Sequence, residues 1–101
     1  MYHEITSVKR TLKLTDAPEV TGTTSGLNTR TIIPDTVQFW THRNGTVATL
    51  QGWGVSDKTG KVTKAYLTVK VALDHDDRYH RYAEAPQWVR DLWVDTRGQD
   101  R

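Results

Sequence analysis

Cysteine is absent from this 101-residue chain, which excludes disulfides, thiolate metal sites and a thiol nucleophile. No apolar run approaches the ~20 residues that a membrane-spanning helix needs. The opening residues Met1-Tyr2-His3-Glu4 lack the basic and then apolar regions of a secretory signal. These absences point to a cytoplasmic protein with no membrane partner, and the lack of cysteine fits a reducing compartment. A one-sided charge is missing too: 14 Lys and Arg against 12 Asp and Glu leave +2, far from the strong basic bias of a dedicated duplex-DNA binder. Where the charges sit therefore matters more than their total.

The usual catalytic patterns are also wanting. Ser7, Ser25 and Ser56 stand in no nucleophile-elbow context. Gly22 and Gly26 precede neither a helix nor a Lys-Ser/Thr pair, so there is no phosphate-cradling loop. The chain reads as non-enzymatic and without a cofactor.

What the sequence does contain is strand pattern. Residues 4–14 alternate, with Val8, Arg10, Leu12 and Leu14 on one side and Ser7, Lys9, Thr11 and Lys13 on the other, the period of a half-buried strand. Residues 15–28 are rich in Thr, Gly, Ser, Asp and Pro and read as a mobile loop. Residues 29–33 are strand-like, Pro34 interrupts them, and residues 36–42 resume. Asn44-Gly45 is a hairpin signal, followed by a return strand over 46–55, a turn at 57–60 and a third strand over 62–73. Residues 74–82 are charged and loop-like. Pro86 suits a first helical turn, Val89, Leu92 and Trp93 recur at helical spacing, and Gly98 is a stop, giving a C-terminal helix over 84–97. Strands first and one helix last make a single α+β domain, residues 1–101. The expected form is an antiparallel meander of about four to five strands with the helix packed on one face.

The turns set a register. A two-residue turn at Asn44-Gly45 pairs Phe39 with Leu50 and Gln38 with Gln51; a four-residue turn at 57–60 pairs Trp53 with Lys64 and Gln51 with Tyr66. Together they place Val37, Phe39, Ala48, Leu50, Ala65, Leu67, Val69, Val71 and Leu73 on a core face. Gly52 and Gly54 also lie there, where a missing side chain lets another backbone come close. The opposite face collects Gln38, Trp40, His42, Thr49, Gln51, Trp53, Lys64, Tyr66, Thr68 and Lys70 and carries no acid. A slip of one residue would mix the two sets.

That second face is the candidate binding surface: Trp40, Trp53, Tyr66, Lys64, Lys70, Gln38, Gln51 and His42. Trp and Tyr dominate the binding energy of protein interfaces, so a protein partner is the first expectation. Aromatic rings beside lysines also stack and neutralise single-stranded nucleic acid, which is the alternative. Pairing with a second copy of the chain is a further possibility. A half-exposed sheet favours the same residue types with no partner at all. Trp88 lies on the other side of the helix from Trp93 and is either an exposed anchor or packed on Tyr79 or Tyr82.

Asp74-His75-Asp76-Asp77 with His80 is the densest group of metal-ligand types. His75, Asp77 and His80 suit a divalent ion and a metal-dependent activity, with His3 and His42 joining only if the fold brings them near. The spacing matches no specific metal motif, and a solvated charged loop is the better explanation.

The segment Glu84-Ala85-Pro86-Gln87-Trp88-Val89-Arg90-Asp91-Leu92 resembles the closing helix of small proteins of unknown function from actinobacteria and their phages. The resemblance covers about a tenth of the chain. It implies a strand meander followed by a helix and carries no activity. A phage setting would imply a host-directed binding protein, including an inhibitor of a defence system.

Overall fold

The computed structural model describes residues 9–42, 45–73 and 82–98. They form strands β1 (Lys9–Lys13), β2 (Val20–Thr23), β3 (Thr29–His42), β4 (Gly45–Val55), β5 (Val62–Ala72) and β6 (Ala83–Glu84), followed by helix α1 (Gln87–Gly98). The architecture is α+β, with an antiparallel sheet and one C-terminal helix, as the order of elements implies. Among the described strands, only the two-residue β6 runs parallel to its neighbour, β5. No helix among the described residues is long and apolar enough to cross a membrane.

Three local departures from the expected pattern shape the sheet. Residues 15–28 do not form one continuous loop: Val20–Thr23 is β2, which pairs β3 from Val20↔Ile32 to Thr23↔Thr29. Its strand character is hidden in sequence because Thr and Gly alternate with a single large apolar residue. Pro34 does not divide two strands either. β3 runs for 14 residues, and its register against β4 shifts between Pro34↔Gly52 and Thr36↔Gln51, so Asp35 is the extra residue of a bulge. A bulge is where a sheet tolerates proline, which has no N–H to donate. The helix begins at Gln87, with Glu84 in β6 instead; the Pro86 carbonyl accepts from the Arg90 N–H at 3.2 Å and so marks the helix start.

β3 pairs β4, β4 pairs β5, β5 meets β2 at Thr23↔Lys70, and β2 returns to β3. The sheet thus closes on itself instead of lying open as a meander. β1 lies along the same edge of β3 as β2, end to end with it, from Lys9↔Trp40 to Lys13↔Thr36. Closure depends on a close approach at Gly22, where a Cβ would sit 2.7 Å from the Val69 Cγ2 atom. The Thr23 hydroxyl accepts the Ala83 N–H at 2.9 Å and ties β6 to the same seam.

The expected register is displaced by two residues at both hairpins. His42 pairs with Gly45 and Gln38 with Thr49, which puts Gly45 in the strand; residues 43 and 44 lie outside the described residues. The turn at 57–60 holds as expected, with the Ser56 N–H donating to the Lys61 carbonyl and Val55 opposite Val62. A bulge opposite Gly54 then brings Trp53 against Tyr66. A slip of two preserves the side each residue faces, so the separation into two faces survives.

The core consists of Val20, Ile32, Val37, Phe39, Ala48, Leu50, Val69, Val71, Leu73, Ala85 and Val89, with Leu12, Leu14, Leu67, Trp88, Leu92 and Trp93 packed against it. Ala65 is the exception: the bulge leaves it exposed. Helix α1 covers the core through Val89, Leu92 and Trp93, whose ring stands 5.1 Å from that of Phe39. Each fully buried large side chain contributes about 1.5–3 kcal/mol. Arg90 locks the helix in place by donating to the carbonyls of Leu73 at 2.6 Å and Ala85 at 3.1 Å. Trp88 is half-buried against the core and is therefore not an exposed anchor.

Candidate binding face

The face opposite the core is assembled from alternate residues of β1, β3, β4 and β5, because side chains on a strand point to opposite sides in turn. The pairings Thr11↔Gln38↔Thr49↔Lys70 and Thr36↔Gln51↔Thr68 run across it as rungs. Gln38 donates to the Thr11 hydroxyl at 3.1 Å and Gln51 to the Thr68 hydroxyl at 3.4 Å. Thr11, Thr36, Gln38, Thr49 and Gln51 line a hollow of about 190 Å³. That is room for one partner side chain, below the roughly 300–1,000 Å³ of a small-molecule site.

One end of the face is open and aromatic. Trp53 and Tyr66 are direct cross-strand partners, with ring centroids 5.2 Å apart in an edge-to-face arrangement at 71°. They remain 45% and 47% exposed, so half of each ring is available to a partner. The Tyr66 hydroxyl reaches over β4 and donates to the Asp35 carboxylate at 2.7 Å, while the Thr36 hydroxyl donates to the same oxygen at 2.9 Å. Accepting this bond from Tyr66 makes removal of the phenolic proton harder and raises the Tyr66 pKa above 10.0; partial burial and the Asp35 charge act in the same direction. Ile33, opposite Trp53 and half-buried, adds an apolar flank.

The other end is closed. Val47 pairs with both Trp40 and Ala72, yet Val47 is 6% exposed and Ala72 is 0% exposed. Trp40 is half-buried there. Val47 and Trp53 stand six positions apart along β4, about 20 Å at the rise of a strand. The three aromatics expected to act together are thus divided: Trp53 with Tyr66, and Trp40 apart. Lys64 is exposed beside the bulge, Lys70 is half-buried between Thr49 and Thr23, and the register puts Lys9 opposite Trp40 and Lys13 opposite Thr36. His42 pairs with Gly45 at the far end of the hairpin.

The expectation that this face carries no acid is overturned by Asp35. Its placement follows from the bulge, which no alternation rule anticipates; the signal available in sequence was the Pro34-Asp35 step inside a strand-like stretch. His75, Asp77 and His80, the metal candidates, lie outside the described residues, among which no group of three potential ligands occurs. Tyr79 lies outside them as well. No family model, curated protein or solved structure matches the chain.

Proposed function

We propose that this chain is a non-enzymatic binding protein that engages a protein partner through the Trp53/Tyr66 end of its sheet. The observation that carries the reading is the half-exposed edge-to-face pair, with Tyr66 fixed by its bond to Asp35. An aromatic held rigid before binding loses little entropy on docking, and such anchors account for most of the energy of an interface. The Gln and Thr rungs beside it supply the polar surround that interfaces use. The C-terminal segment resembles small proteins of actinobacteria and their phages, and in a phage setting a host protein, including a defence component, is the partner class to look for first.

Single-stranded nucleic acid is the second reading, and Lys13 and Lys70 on the same face favour it, with Lys64 exposed beside the bulge. Two features weigh against it. Trp53 and Tyr66 meet edge to face and so do not form one continuous stacking platform, and the Asp35 carboxylate on the Tyr66 hydroxyl puts a negative charge beside the rings.

The test is affinity capture from a nuclease-treated lysate with the wild-type chain and with Trp53→Ala. A protein retained at least tenfold better by the wild type is the expected result. A tryptophan-fluorescence titration with mixed-sequence single-stranded DNA and RNA runs beside it. Quenching that falls steeply with salt and vanishes in Trp53→Ala would transfer the function to nucleic acid. Concentration-dependent light scattering abolished by Trp53→Ala would make the partner a second copy of the chain.

A further inference from the structure

Among the described residues, β5 is paired on both sides only at its end, from Lys70 to Ala72. Beyond β4, its neighbours among the described residues are β2 at Lys70 and β6 at Val71 and Ala72. From Val62 to Thr68 its outer edge has no strand beside it among the described residues, and Val62, Lys64, Ala65, Tyr66 and Thr68 are all exposed. The backbone direction is fixed by what lies further along. The Ala72 carbonyl accepts the Ala85 N–H at 2.9 Å, and the Lys70 carbonyl lies toward β2, 3.0 Å from the place a Gly22 Cβ would occupy. Backbone groups alternate in direction along a strand, so the N–H and C=O of Thr68 and Tyr66 also point away from β4, toward solvent. The Ala65 N–H, of the set that faces β4, is taken by the Thr63 hydroxyl at 3.1 Å where the bulge interrupts the β4 ladder.

This edge has different surroundings on its two sides. On one lie the Tyr66 and Trp53 rings. On the other lies a hollow of about 400 Å³ whose lining includes Arg30, Gly54, Ala65, Leu67 and Asp57. Around the edge, Arg30, Lys58, Lys61 and Lys64 are exposed against Asp57, while the aromatic side also carries Asp35 on the Tyr66 hydroxyl, so basic groups outnumber acids and the acid-attracting side is that of Arg30. Lysines on an edge oppose pairing with a copy of the same edge, and the same charges attract an acidic strand.

Resting on the protein-partner reading above, we propose that the partner is bound as an extended acidic segment that adds a strand to the Val62–Thr68 edge of β5. Its backbone pairs with Tyr66 and Thr68. Its side chains alternate between the aromatic face and the Arg30-lined hollow, which is how strand addition combines main-chain affinity with side-chain specificity.

The experiment is selection of a displayed library of random 12-residue peptides on the wild-type chain. The enriched peptides are then titrated against wild type, Thr68→Pro and Trp53→Ala. Proline at 68 deletes an outward N–H without touching the ladder to β4, so it is tolerated as an edge substitution. Expected are acid-rich peptides that bind Thr68→Pro and Trp53→Ala at least tenfold more weakly. Peptides that lose Trp53→Ala but keep Thr68→Pro would overturn strand addition and leave the aromatic face standing. Peptides indifferent to both variants, or no enrichment, would take down both readings. If Thr68→Pro does not fold, amide exchange in the wild type decides: Tyr66 and Thr68 N–H groups protected by the selected peptide support strand addition, and unprotected ones overturn it.

Discussion

The Tyr66 hydroxyl donates a 2.7 Å hydrogen bond to the Asp35 carboxylate across the intervening strand β4. The contact joins the residue that the β3 bulge extrudes to the ring that the β5 bulge brings opposite Trp53. Two irregularities, in the strands on either side of β4, thereby define one end of the face.

The bond has a titration signature. Asp35 holds the Tyr66 proton more tightly in the folded chain, so the folded pKa lies above 10.0. The stability contributed is complete below 10.0 and is lost as pH rises through the folded value. Difference spectra of wild type minus Tyr66→Phe should show a phenol that ionises later than a free tyrosine. Asp35→Asn should bring it back down.

Gly52 is fixed by the same bulge from the core side. A Cβ there would run into the Ile33 carbonyl oxygen and stand 2.6 Å from the Pro34 Cα. The obstruction is backbone, which cannot rotate away. Gly52→Ala should cost about 3 kcal/mol or more in urea denaturation. Gly26→Ala, with only the Asn28 side chain within 4 Å, should stay within about 0.5 kcal/mol of wild type.

Arg90 predicts how the helix is held. Its guanidinium bonds to the carbonyls of Leu73 and Ala85, both of which belong to the buried core. Hydrogen bonds from a charged donor are worth about 1.5–3 kcal/mol. Arg90→Met, which keeps the length and loses the donors, should lower stability by about 2–3 kcal/mol and increase amide exchange in α1 ahead of the sheet.

Thr41 points the other way. Its Oγ1 is buried with no hydrogen-bond partner, and an unsatisfied buried hydroxyl is a standing cost. Thr41→Val replaces it with a methyl of similar shape and should be neutral or stabilising by up to about 1 kcal/mol in thermal or chemical melts.

The division into two faces was legible because strand alternation has a period of two, and both register errors were also two. Phe39, Leu50 and Val69 stay inside, and Trp53 and Tyr66 stay outside, whichever partner each one meets. Bulges were not legible: they depend on how neighbouring strands fit and leave no mark on alternation. That is why Asp35 was missed and Ala65 was placed inside. β2 was hidden for another reason. Its burial comes from closing the sheet at Gly22 and Thr23, a tertiary event that a Thr- and Gly-rich stretch does not announce. The candidate site was legible in composition but not in extent, since the alternation that gathers Trp40 with Trp53 says nothing of the burial of Val47 and Ala72 at the Trp40 end.

The central claim is that the energy of binding lies at the Trp53/Tyr66 end. The most direct measurement is calorimetric titration of the captured partner against Trp53→Ala, Tyr66→Ala and Trp40→Ala, each first shown to be folded. The account predicts that Trp53→Ala or Tyr66→Ala weakens binding by about 2 kcal/mol or more, the mark of an interface anchor, with Trp40→Ala close to wild type in affinity. Binding that survives loss of both Trp53 and Tyr66, or that depends on Trp40 alone, would contradict it.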